Sequence, residues 1–112
     1  MLTILLPMKN SMPWSISMQV KWLRKALLNL DREAAHIARE NPKSATEFVT
    51  HLRQSASVLS MHPHVGRQGR VPGTRELVIA QFPYILPYRV RENRIEILRV
   101  FHTARKWPAD FS

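Results

Sequence analysis

Residues 75–102, RELVIAQFPYILPYRVRENRIEILRVFH, hold three apolar runs rich in β-branched and aromatic residues, separated by turn signals. They read as strands at about residues 75–80, 84–90 and 94–102. The joint QFP carries a proline that cannot donate to a ladder, and Arg91-Glu92-Asn93-Arg94 reads as a tight turn. In the middle run Tyr84, Leu86, Tyr88 and Val90 share one face, while Ile85, Pro87, Arg89 and Arg91 share the other. The last run is less regular, because Arg99 falls among Ile95, Ile97 and Phe101. Either both faces of that strand are covered or a bulge re-aims Arg99.

Upstream, HPHVGRQGRVPG (62–73) is a loop by its proline and glycine content. Before it lie two amphipathic patterns. Leu23, Leu27, Leu30, Ala34 and Ile37 recur at helical spacing, opposite Arg24, Lys25, Asp31, Arg32, Arg39 and Glu40. Asn41-Pro42 ends that helix and starts a second over residues 42–60, with Ala45, Phe48, Val49, Leu52, Ala56 and Leu59 on its buried side. Gln19 to Trp22 reads as a short first strand. The order β-α-α-β-β-β implies an α+β fold, an antiparallel helix hairpin packed on one face of a small sheet that ends in an antiparallel strand meander.

At 112 residues the chain is one domain with a modest core. It contains no cysteine, which excludes disulfides, thiolate zinc sites and a thiol nucleophile, and fits a cytoplasmic setting. No apolar run approaches the roughly 20 residues that span a bilayer, and no segment has the form of a lipid-inserting amphipathic helix. Residues 1–17 lack the basic start and cleavage site of a signal peptide. They read as a disordered leader or an over-long start, with the structured domain running over residues 18–112.

The formal net charge is +9, and +6 of it lies between Val65 and Trp107, where nine Lys/Arg face three acids. Such a surface meets phosphate or an acidic protein. No P-loop, GxGxxG, GxSxG or HExxH is present, and His62, His64 and His102 have no carboxylate at ligand spacing, so neither a cofactor nor a metal is expected. Cleavage of RNA by its own 2′-hydroxyl needs only a base, an acid and cations on the phosphate. The candidates are His102 as general acid, Arg75, Arg89 and Arg99 on the phosphate, and Glu76 or a loop histidine as base. Arg67, Arg70, Arg105 and Lys106 would hold the nucleic-acid backbone. The plainer reading of His102 is a strand-end residue bonded to backbone, and of Trp107 a clamp on the core edge.

GRVPGTREL (69–77), PYILPYRV (83–90) and LRVFHTARKWP (98–108), with the two helices before them, resemble the RelE/ParE superfamily of type II toxin–antitoxin toxins from about Met18 to Pro108. The resemblance implies a toxin neutralised by a cognate antitoxin that covers its basic face and binds operator DNA, with the toxin as co-repressor. It also divides the target. RelE-like members cut mRNA on the ribosome without a metal, whereas ParE-like members inhibit DNA gyrase and perform no chemistry. Arg75, Arg89 and His102 match positions of nuclease members, but the paired lysines and the C-terminal tyrosine of the RelE prototype have no counterpart. The sequence reading places the ribosome-dependent mRNA endonuclease first, because arginines with a strand-end histidine suit phosphate chemistry. The gyrase inhibitor is the alternative, and a non-toxic repressor component a third.

Overall fold

The computed structural model describes residues 17–104. Most of the expected leader, and the tail carrying Arg105, Lys106 and Trp107, lie outside the described residues. The elements are β1 (Gln19–Trp22), α1 (Arg24–Ala38), α2 (Pro42–Ser57), β2 (Arg67–Gln68), β3 (Arg75–Val78), β4 (Tyr84–Arg91), β5 (Arg94–Ile97) and β6 (Phe101–His102), with a 3-10 turn at Val58–Ser60 after α2. The α+β fold is that expected, with two additions: the short β2, and a break in the last strand.

The sheet runs β1-β5-β4-β3-β2, with β6 beside the start of β4. The meander is antiparallel, but β1 inserts parallel to β5, Gln19 opposite Arg94 and Trp22 opposite Ile97. The turn at Glu92-Asn93 joins Arg91 to its partner Arg94. Glu92 takes a left-handed φ of 55°, a conformation costly for a residue with a Cβ.

The break between β5 and β6 is a bulge. Tyr88 pairs with Ile97 and Ile85 with Phe101, so three steps along β4 face four along its neighbour. One extra residue in the stretch 98–100 reverses the alternation beyond it. Ile95 and Ile97 face the helices, and past the bulge it is His102, in register with Tyr84, that does so, while Phe101 turns to the other face with Ile85. The backbone N–H of Val100 donates to Asn29 Oδ1 on α1 at 3.1 Å, holding the bulge against the helix.

Both helices cover one face. Phe48, Leu52 and Ala56 of α2, Leu59 and α1's Ala26 and Leu30 bury against Leu86, Tyr88, Ile95 and Ile97. The expected stripe of α2 is the one observed, and Asn41 caps that helix by accepting from Ser44 N–H at 3.1 Å. The stripe of α1 holds at Leu30, Ala34 and Ile37, which lie in or against the core, and departs from the expectation at Leu27. Leu27 and Leu28 are exposed, and Ala26 and Glu33 are buried beside Leu30. Glu33 is accommodated because Tyr84 Oη donates to its Oε1 at 2.7 Å, satisfying a polar group that burial would otherwise penalise.

Candidate functional site

The face of the sheet away from the helices carries two buried glutamates, each held by two arginines. In β3, Glu76 sits opposite Arg67 of β2 and points away from the core. Its Oε1 accepts from Arg67 Nε at 3.1 Å, and its Oε2 accepts from the Arg70 backbone N–H at 2.9 Å, with Arg70 Nε at 3.3 Å. In β5, Glu96 sits opposite Arg89 of β4 and two residues from Arg94, so all three share this face. Arg89 Nε donates to Glu96 Oε1 at 2.6 Å, and Arg94 donates to Oε2 through Nε and Nη2, each at 2.9 Å. Both carboxylates are 3% exposed, whereas Arg67 and Arg70 are more than half exposed, so the guanidinium groups roof the acids. The Arg89 hydrogen bond, outweighing the cost of burial and joined by the charges of Arg89 and Arg94, holds Glu96 below the ordinary carboxylate value.

These pairs redistribute the residues singled out in the sequence. Glu76 is a structural anchor: both its oxygens already accept from Arg67 or Arg70, so as placed it is not free to act as a base. Arg94, which closes the expected turn, is an ion-pair partner of Glu96. Arg75 lies on the helix-side face opposite Tyr88, its Nη1 donating to the carbonyls of Gly66 at 2.8 Å and His64 at 3.2 Å. His102 is four residues along β4, roughly 13 Å at the usual strand rise, and on the other side of that strand from β3. Its ring meets Tyr84 edge-on at 5.1 Å, and its Nδ1 accepts from the Ala104 backbone N–H at 3.1 Å. Arg99 lies over the Phe101 ring at 5.8 Å, and Phe101 faces away from His102. Arg99 and His102 therefore do not converge on one point with Arg75 and Arg89.

What does converge is a cleft beside the end of β4. The ladder with β3 stops at Arg75–Tyr88, because the chain turns away through Val71-Pro72-Gly73-Thr74. That turn has Pro72 and Gly73 at its centre, φ 81° at Gly73 and a bond from Thr74 N–H to the Val71 carbonyl at 3.2 Å, the geometry of a type II turn. One lobe of the cleft, about 570 Å³, is walled by Leu23, Val71, Pro72 and Leu98, with Arg91 at its rim. The other, about 430 Å³, is lined by His64, Gln68 and Arg75. Gly73, Thr74, Arg89 and Val90 belong to both.

The floor of the loop is fixed by Tyr88, whose hydroxyl accepts from Gly66 N–H and donates to the Pro63 carbonyl, each at 2.9 Å. A Cβ at Gly66 would lie 2.6 Å from that ring, so only glycine fits there. Burial pushes the Tyr88 hydroxyl above its ordinary value, against the lowering effects of the Gly66 N–H and the Arg75 charge. Sequence reasoning missed Tyr88 as a loop anchor and the pairing of Arg89 with Glu96. The second was available, since a two-residue turn at 92–93 sets 89 opposite 96. On the helix hairpin, a separate apolar groove of about 450 Å³ runs between Ala34, Ala38, Ala45 and Val49. No helix of the described residues is long and apolar enough to cross a membrane.

Comparison with known proteins accounts for this combination. Residues 20–107 match the family described as ParE toxin of the type II toxin–antitoxin system parDE. The toxin Y4kP of Sinorhizobium fredii is 39% identical over 90 residues, covering 80% of this chain and 93% of that protein. Toxin RelE2 of Caulobacter vibrioides is 32% identical over 87 residues, 78% of this chain and 97% of its own. A solved structure of a chromosomal ParDE toxin–antitoxin system from P. aeruginosa superposes with a TM-score of 0.71 at 31% identity, covering 77% of this chain and 96% of that one. A strand, a helix hairpin and an arginine-roofed sheet thus come together with matching sequence over most of the chain, which belongs to the ParE toxin family of type II toxin–antitoxin systems, within the RelE/ParE superfamily.

Proposed function

We propose that this toxin arrests growth by binding DNA gyrase, as a ParE-like inhibitor without catalytic chemistry of its own, and that the arginine-roofed sheet face supplies the contact. The observation that carries this reading is the dispersal of the acid–base set. His102 faces the helices at one end of β4, four residues along that strand from the cleft lined by Arg75 and Arg89, and both glutamates of the outer face are saturated by arginine. General acid–base catalysis needs donor and acceptor within hydrogen-bond reach of one phosphate, whereas a protein contact needs only a fixed, charged surface. Fixed it is, because Arg67, Arg70, Arg89 and Arg94 are each held by a buried carboxylate and lose little freedom on binding.

Membership of the family implies a cognate antitoxin as partner. The basic face and the apolar helix groove are where neutralisation would act, and operator DNA would be reached through the antitoxin. The test is to induce the chain without its antitoxin, mapping new mRNA 5′ ends while assaying supercoiling by purified gyrase with the purified toxin. The expected result is intact messages, an SOS response and loss of supercoiling activity. Cuts phased to codons with gyrase unaffected would return the assignment to a ribosome-dependent mRNA endonuclease.

A further inference from the structure

We infer that the cleft under the 71–74 turn is a binding site for a nucleotide, its phosphate held by Arg75, Arg89 and the Val90 amide and its base lodged against Leu23, Val71 and Leu98. The site shares Arg89 with the protein contact proposed above, but its existence does not depend on that contact.

The donors are built into the sheet. Leu98 N–H donates to the Pro87 carbonyl at 2.9 Å, so the odd-numbered residues of β4 direct their backbone groups toward β5 and the even-numbered ones toward β3. Tyr88 finds its partner there in Arg75, but for Val90 the neighbouring strand has already turned away. Its N–H and C=O edge therefore faces the cleft, and Val90 lines both lobes. An unpaired strand N–H beside guanidinium groups is a ready anion site.

The arginines are oriented before any ligand arrives. Arg89 is held through Nε by Glu96 at 2.6 Å, and Arg75 through Nη1 by two carbonyls of the 64–66 loop. The guanidinium fork leaves each with further N–H groups. No carboxylate appears among the residues lining either lobe, so no lining side chain carries a negative charge that would repel a phosphate. The larger lobe, which Arg75 does not line, is walled by the apolar Leu23, Val71, Pro72 and Leu98, and its size suits a small ligand with a flat apolar part. A simple anion would leave that wall unused.

The test is a titration of the 15N-labelled full chain with GMP, AMP and inorganic phosphate at about 0.15 M salt, following the amides of Gly73, Thr74 and Val90. Saturable shifts confined to these amides are expected with a nucleotide, with inorganic phosphate at least roughly tenfold weaker. Val71→Asp places a carboxylate in the apolar lobe and is expected to weaken nucleotide binding by roughly tenfold or more with the circular dichroism unchanged. If that variant does not fold, Arg91→Glu at the exposed rim serves the same purpose. No saturation, shifts centred elsewhere, equal affinity for phosphate and nucleotide, or a charge variant that binds normally would each overturn the inference. Gyrase inhibition is measured separately, so either reading can fail alone.

Discussion

Glu96 is the residue on which the outer face turns. It is buried, ionised and bonded to Arg89 and Arg94, and those bonds hold its pKa below the ordinary 4.5. A carboxylate with a depressed folded pKa stabilises the native state fully above its unfolded value and loses that contribution as pH falls through the folded one. Glu96→Gln is therefore expected to lower stability near neutral pH by roughly 1–3 kcal/mol, since two arginines lose a charged acceptor. Below pH 4.5 the gap between variant and parent closes as the parent's own carboxyl is protonated. Urea unfolding across the acid range measures this. A gap that stayed constant with pH would mean that Glu96 acts by shape and not by charge.

Among the elements, α2 has the most local specification. Asn41 accepts from Ser44 N–H while Pro42 occupies the first turn, where its missing N–H costs nothing. Asn41→Ala is expected to cost about 1 kcal/mol in denaturant unfolding, and Asn41→Ser to restore most of it. Such features were legible in the sequence because they depend on neighbours a few residues apart. So were the faces of β4, where alternation alone separates Tyr84, Leu86 and Tyr88 from Arg89 and Arg91. The parallel docking of β1 on β5 was not legible, since short strands carry no signal for which distant edge they join. Nor was the burial of Glu33 on α1, whose partner, the Tyr84 hydroxyl, lies 51 residues along the chain. Arg99 did announce the bulge, as an irregularity whose meaning required the register. The candidate site fared similarly: its arginines stood out by count, but which carboxylate each would hold depended on strand pairing.

For the whole molecule, the placement of His102 and the arginines separates the two modes of toxicity. His102→Ala is expected to leave growth arrest undiminished, because the ring bonds backbone and packs on Tyr84 away from the outer face. Lys21→Glu, an exposed position in register with Glu96 on that face, is expected to weaken gyrase inhibition by roughly tenfold with the fold intact. Dose–response curves for growth and for supercoiling check both. Loss of toxicity in His102→Ala with antitoxin binding preserved would restore the histidine to a chemical role.

The parallel pairing of β1 with β5 also governs timing. During synthesis β1 is the first described element to leave the ribosome, yet Gln19 must wait for Arg94 before it has a ladder partner. Contacts so distant in sequence form late and slow the assembly of a sheet. The Glu96 clamp needs the same late strand, so a chain halted before Arg94 lacks both its sheet edge and the acid that orients Arg89. Until β5 has been made, the nascent chain carries Arg89 of its outer face without the carboxylate that aims it.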